Sequence, residues 1–299
     1  MSDSTLDSAL AIRTSLTVCG LDGAPYLAAR GSAADAVTLD LAAPAVHGRR
    51  AEMRRLAAKH AHPIAAAGGA AVHVRVSDTR SSELDADIAA LVSGALAAIV
   101  LSGAETPQDV RDADVAIRKQ EMRLGITPGA VRLIPEIDSA AGLLALPALL
   151  AAVDRHGAVA LDLDGLRVDL RLAPGTRGAL EHAFGQVAVA ARAAGLPWLI
   201  TARASTAADR AQLATQACEF GAAGAAVASE AEVLGLNALF TPPPEAVAAA
   251  RRSVEAWDRR RERASVLVSN GALVDRRRVR AARALVALAD AIERRERGR

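Results

Sequence analysis

Val131-Arg-Leu-Ile-Pro-Glu136-Ile-Asp138-Ser-Ala-Ala-Gly-Leu-Leu-Ala-Leu146 holds a change of rhythm. Its first half is a short apolar run that reads as a strand, and after Asp138 the Ala and Leu residues read as a helix. Glu136 and Asp138 stand two residues apart, a spacing that turns both carboxylates to the same side of an extended strand. Two acids at the exit of a buried strand, just before a helix, are where a β/α barrel keeps a metal or a catalytic acid. The competing use of such a residue is to cap the helix, a task open to Asp138 or Ser139.

Outward from this stretch the same alternation recurs. Strand-like runs lie at Ser15 to Val18, Ala36 to Leu41, Val72 to Val76, Ala98 to Leu101, Val131 to Ile137, Val159 to Leu163, Trp198 to Thr201 and Ala225 to Ala228. Strands alternating with helices predict parallel pairing, and eight of them close a TIM (β/α)8 barrel. The last run has little β-branched content, which keeps an open doubly wound sheet as the alternative. Thr106-Pro-Gln-Asp reads as a cap with Pro at the first helical position, and Gly195 followed by Pro197 ends another helix. His60 and His62, beside Pro63, read as loop residues.

After Phe240 the composition changes, which divides the chain into a barrel domain, 1–240, and a C-terminal helical lid or oligomerisation arm, 241–299. Thr241-Pro-Pro-Pro-Glu245 is a stiff connector whose end can open a helix to about Arg263. A small hairpin follows, with strands at Val266 to Val268 and Ala272 to Val274 and an Asn270-Gly271 turn. A final helix runs from about Arg276 to Arg295. From Arg251 to Arg299 there are 15 Arg against seven acids. Such a surface either meets phosphates or is a solvated helix face.

Composition narrows the function. Hydrophobic residues make up 52% of the 299 and aromatics 2%, so the core is built of Ala, Leu and Val and base-stacking platforms are excluded. Thirty-six basic and 34 acidic side chains leave +2, too balanced for a nucleic-acid partner. Lys59 and Lys119, the two lysines, both fall on polar helix faces, which argues against Schiff-base chemistry. Cys19 and Cys218 form no metal-binding pair. No signal peptide or membrane span is read, and a cytoplasmic location is expected.

In order along the chain, Ala34-Asp-Ala-Val-Thr-Leu-Asp-Leu41, Val74-Arg-Val76, Ile99-Val-Leu-Ser-Gly-Ala-Glu105, Leu133-Ile-Pro-Glu-Ile-Asp-Ser-Ala140, Leu236-Asn-Ala-Leu-Phe-Thr-Pro242 and Asn270-Gly-Ala-Leu-Val-Asp275 form a set. With these motifs the sequence resembles the citrate lyase beta-subunit-like proteins of the HpcH/HpaI aldolase superfamily, which include malyl-CoA and citramalyl-CoA lyases. The resemblance implies a TIM barrel whose C-terminal extension packs over a neighbouring subunit's site in a trimer or hexamer. It also implies Mg²⁺ as cofactor, a small oxo or hydroxy acid as ligand, and CoA thioesters as possible partners.

The roles that follow from the resemblance fall on particular residues. Arg75 takes the part that binds substrate and stabilises an oxyanion, and Asp275 that of a proton shuttle for the next subunit, or of a helix cap. Asp138 aligns with the first metal ligand, leaving Glu136 as an extra acid against the substrate. At the second ligand position stands Arg167, which has no lone pair to offer. Asp162, Asp164 or Asp169 can replace it after a small shift, with Asp164 nearest the mouth of the barrel. Alternatively Arg167 replaces the ion by pairing with Glu136 or Asp138. Other family acids are lost after Asp40, Ser102-Gly103 replaces a Pro-Lys pair, and Ala228-Ser-Glu-Ala-Glu232 replaces a CoA-side motif. Three readings therefore stand: a Mg²⁺-dependent carbon–carbon lyase, a non-catalytic binding or accessory member, and a metal-free site in which Arg75 and Arg167 grip an organic acid.

Overall fold

In the computed structural model, which describes residues 11–43, 48–173, 176, 178–259, 266–269 and 272–298, eight parallel strands close into a barrel in sequence order. They are β1 (Thr14–Val18), β2 (Ala36–Asp40), β3 (Ala71–Val76), β4 (Leu96–Leu101), β5 (Arg132–Ile137), β6 (Val159–Asp162), β7 (Trp198–Thr201) and β8 (Gly224–Val227). The TIM barrel is thus the observed fold, and the open sheet is ruled out by the pairing of β8 with β1. The weakly β-prone last strand works because of its glycine. A Cβ at Gly224 would lie 2.2 Å from the Ile12 carbonyl oxygen, so the closing seam needs a residue with no side chain there.

Around the barrel run α1 (Ala24–Ala28), α2 (Arg50–Ala66), α3 (Leu84–Leu91), α4 (Pro107–Leu124), α5 (Ala140–Leu150), α6 (Leu163–Asp169), α7 (Gly178–Ala194), α8 (Ala207–Glu219) and α9 (Glu230–Phe240). Thr106 caps α4 through a reciprocal capping box with Asp109. Gly195, at φ 74°, follows the end of α7. Lys59 and Lys119 are exposed on α2 and α4. His60 and His62 are not loop residues: α2 continues through Pro63 to Ala66. Proline there removes one hydrogen bond in the last turn, while the turn keeps Ile64 buried and His60 stacked on Tyr26 at 5.2 Å.

The barrel interior changes character along its axis. Inward positions recur every second residue on each strand. They read Ala36-Thr38-Asp40 on β2, Ala71-His73-Arg75 on β3, Ala98-Val100-Ser102 on β4 and beyond it, Ile134-Glu136 on β5, Ala160-Asp162 on β6 and Leu199-Thr201-Arg203 on β7 and beyond it. Small apolar side chains fill the N-terminal half, and charged ones follow at the C-terminal ends. The interior cavity between the two layers is about 30 Å³, too small for any organic substrate, so a ligand must bind above it at the mouth.

Contacts divide the chain into two compact units, Ile12–Leu239 and Phe240–Arg299 with Ala11. In the second, α10 (Pro244–Asp258) packs on α11 (Arg276–Arg297), and β9 (Val266–Ser269) pairs antiparallel with β10 (Ala272–Asp275). Trp257, Val274 and Val279 form its small buried core. The Asn270-Gly271 turn and the end expected for α10 near Arg263 lie outside the described residues. No helix among those described is long and apolar enough to cross a membrane.

Candidate active site

The mouth is organised by a guanidinium in the middle of a hydrophobic strand. Arg75 on β3 is 7% exposed, flanked by Val74 and Val76, and an unpaired charge there would be very costly. It is paired on three sides. Nε donates to Glu136 Oε2 at 2.6 Å, Nη1 to Asp40 Oδ1 at 3.2 Å and Nη2 to Ser102 Oγ at 2.8 Å. Burial lowers its pKa, but Glu136 and Asp40 outweigh that and keep it protonated.

A second guanidinium, unforeseen from the sequence, closes the network from the opposite side. Arg203, just past β7, donates from Nη1 to Glu136 Oε1 at 2.9 Å and from Nη2 to Asp162 Oδ2 at 2.6 Å. Glu136 is fully buried between the two arginines, and Thr201 adds a hydrogen bond to Oε1 at 3.3 Å. Burial pushes its carboxyl up, but Arg75 and Arg203 prevail and hold it at about 2. The signal that could have found Arg203 is its register: it stands two residues past Thr201, on the inward face.

Asp138 differs from its neighbours. Ser139, not Asp138, caps α5, accepting from the Gly142 N–H at 3.2 Å, so the aspartate is released from that structural role. No hydrogen bond reaches the Asp138 carboxylate among the described residues. Two glycines flank it. A Cβ on Gly165 would lie 2.6 Å from Asp138 Cβ, and one on Gly103, at φ 64°, would lie 3.7 Å from Asp138 Oδ2. Burial, then the charges of Glu136 and Asp162, push its pKa up to about 6. A carboxyl titrating near neutrality at a strand's C-terminal end is suited to proton transfer.

The acids after β6 are all engaged. The strand ends at Asp162, so Asp164 does not share a strand face with it: Asp162 Oδ1 caps α6 by accepting from the Asp164 N–H at 3.0 Å, and the helix starts at Leu163. Asp164 in turn accepts from the Ala204 N–H at 2.7 Å, and Asp169 from the Ala140 N–H at 2.7 Å. Arg167, on α6, has Ser205 Oγ at 3.5 Å and is not a partner of Glu136, which is held by Arg75 and Arg203. Asp275 belongs to the second unit and caps α11, accepting from the Arg278 N–H at 2.8 Å, which lowers its pKa.

A divalent cation does not fit this arrangement. Mg²⁺ requires several oxygen ligands in near-octahedral order. Both oxygens of Glu136 and both of Asp162 already accept hydrogen bonds from guanidinium, hydroxyl or backbone donors. The residue packed against Asp138 is Gly165, which has no side chain to offer. No group of three or more His, Cys, Asp or Glu side chains suited to a metal occurs among the described residues. A groove of about 990 Å³ lies elsewhere, between α5 and α7, lined mainly by apolar side chains such as Leu143, Leu144, Pro147 and Val189. Its lining holds Glu181 and His182 but no arginine, whereas the mouth gathers several acids and two guanidinium groups and is the stronger candidate on chemistry.

A model of the family described as HpcH/HpaI aldolase/citrate lyase matches residues 24–231, from before β2 to the start of α9. The chain belongs to that family. No curated protein matches the sequence significantly. Among solved structures, a citrate lyase from Burkholderia xenovorans LB400 superposes with a TM-score of 0.72 at 18% identity, covering 97% of this chain and 96% of that one. The protein CitE from Mycobacterium tuberculosis, in complex with magnesium, acetoacetate and coenzyme A, gives 0.67 at 18% identity over 94% and 99%. A Haloferax volcanii malate synthase, studied with glyoxylate, gives 0.68 at 16% over 86% and 85%. At these identities the likeness carries the barrel fold. The expected membership of the HpcH/HpaI aldolase superfamily is therefore met.

Proposed function

We propose that this chain is a carbon–carbon lyase acting on a small oxo or hydroxy acid, free or as its CoA thioester, with Asp138 as the group that moves the proton. One observation carries this reading: Asp138 is a carboxyl without a hydrogen-bond partner among the described residues, set between two glycines beside acids already clamped by arginine. The ligand class is supported by the acetoacetate and coenzyme A bound to the Mycobacterium tuberculosis protein. In the cleavage direction, Asp138 accepts the proton of the hydroxyl whose carbon becomes a carbonyl. The carbon–carbon bond then breaks, and its electron pair passes into an enolate. Arg203, whose Nε makes no hydrogen bond among the described residues, is the donor available to a ligand oxygen there. Magnesium has no part in this sequence of steps, because the residues do not fit the ion. Asp275 remains the group that a neighbouring subunit's mouth would be offered, in a homo-oligomer using residues 241–299 as its arm.

A second reading has its own support. Arg75, given the substrate-binding role, is closed off by Glu136, Asp40 and Ser102, which favours a member that binds an acid without cleaving it. Turnover of oxaloacetate, malyl-CoA and citramalyl-CoA, with calorimetry of pyruvate and acetyl-CoA binding, decides between them. For the lyase, Asp138→Asn lowers kcat by about 10²–10⁴ with little change in ligand affinity. Wild-type protein that binds pyruvate but turns over none of the three compounds would instead establish the binding reading.

A further inference from the structure

We infer that Arg203 occupies the electrostatic place of a divalent cation, its guanidinium bridging Glu136 and Asp162, so that this mouth excludes magnesium and becomes a metal site only when Arg203 is removed. The geometry of the bridge is specific. One Nη reaches Glu136 Oε1 at 2.9 Å and the other Asp162 Oδ2 at 2.6 Å, joining acids from β5 and β6 through a single planar cation. A metal ion between the same two carboxylates would need those same lone pairs.

Charge points the same way. Asp40, Glu136, Asp138 and Asp162 bring four carboxylates to one ring, against which stand Arg75 and Arg203. Arg75 is held on the β2, β4 and β5 side by Asp40, Ser102 and Glu136, and lies 3.9 Å from Asp162 Oδ2. Its position leaves the β5–β6–β7 side of the ring to Arg203. With Arg203 in place, an added divalent ion meets a fixed positive charge and occupied oxygens. Without it, Glu136 Oε1 keeps only its contact with Thr201 and Asp162 Oδ2 loses its hydrogen-bond donor, which leaves two neighbouring carboxylate oxygens of the kind a magnesium ion takes with water completing its shell. Two consequences separate a guanidinium from an ion: it cannot be chelated away, and it is present in every molecule.

The inference concerns the same mouth as the lyase proposal, but its test uses the metal alone, so that failure of one does not mimic failure of the other. Mg²⁺ titration calorimetry, with Mn²⁺ electron paramagnetic resonance as a second readout, is carried out on the full chain as wild type, Arg203→Ala, Arg203→Gln and Arg203→Lys. Arg203→Gln keeps a donor for Glu136 without the charge and supplies a folded neutral variant if the alanine variant fails to fold. The wild type and Arg203→Lys are expected to show no saturable binding at millimolar metal. The neutral variants bind at least about tenfold more tightly than wild type and gain thermal stability on adding Mg²⁺. Asp162→Asn added to the neutral variant removes the gain. Saturable binding by wild type, or neutral variants no tighter than wild type, overturns the inference.

Discussion

Strand β5 carries an ionic cluster at each end, and the two ends are built differently. Just before its N-terminus, Arg155, with a side chain 2% exposed, pairs with Asp114, binds Glu121 through both Nη groups at 3.2 and 3.1 Å, and donates to the Val131 carbonyl at 2.8 Å. Glu121 also accepts from the Gly129 and Val131 N–H groups at 3.1 and 2.9 Å. Burial pushes Glu121 up, but Arg155 and the two backbone donors outweigh it and lower its pKa. At the C-terminal end two arginines meet Asp40, Glu136 and Asp162 in a comparable network, yet Asp138 is left out. A closed cluster of this kind holds a loop in place. One with an unpartnered acid at a barrel mouth can engage something else.

The largest effect separating the two ends is expected from Arg155→Ala, which leaves the buried Glu121 without its cation, while Asp114 keeps Arg118 at 3.2 Å. The uncompensated Glu121 should cost about 3–5 kcal/mol of unfolding free energy in urea denaturation and leave pyruvate affinity unchanged among folded molecules. Glu136→Gln at the mouth should cost less, about 1–3 kcal/mol, because Arg203 has a side chain 21% exposed and can turn to water while Arg75 keeps Asp40. Equal losses at the two ends would mean that the mouth cluster is as closed as the one around Arg155.

The smallest effect has the clearest sign. The fold raises Asp138 from its ordinary 3.8 to about 6, so the folded state favours the protonated acid. Stability from this group is therefore full below pH 3.8 and is lost as pH rises through about 6. Asp138→Asn should raise the melting temperature at pH 7 and leave it unchanged near pH 3.5. Parallel melting curves across that range would show that Asp138 is not held in the environment described.

How much of this was legible in the sequence follows from the range of each interaction. The barrel was readable because each strand announces itself within six or so residues, and the boundaries expected at Trp198 and Thr201 are those observed. Arg75, Glu136 and Asp138 were readable for the same local reason, as charges in or just after apolar runs. Arg203 was not, because its meaning depends on Glu136, 67 residues earlier, and Asp162, 41 residues earlier. The resemblance sets Arg167 at a ligand position, but the turn set by the Asp162 cap carries it onto α6, beside Ser205. His60 and His62 read as loop residues because proline beside them disfavours a helix, whereas burial of His60 and Ile64 holds the turn around Pro63.

The glycine at the barrel seam has a consequence for the order of assembly. β8 pairs with β1 through residues more than 200 positions apart, Thr14 with Ala225 and Leu16 with Val227. No ring can close on the ribosome until almost the whole of 12–239 has emerged, and until then the edge of β1 is open to any other strand. Gly224 lets the arriving strand come within backbone contact of Ile12 and Arg13 without moving a side chain aside. The slowest pairing in the chain is thus also the one with the least steric obstacle to completion.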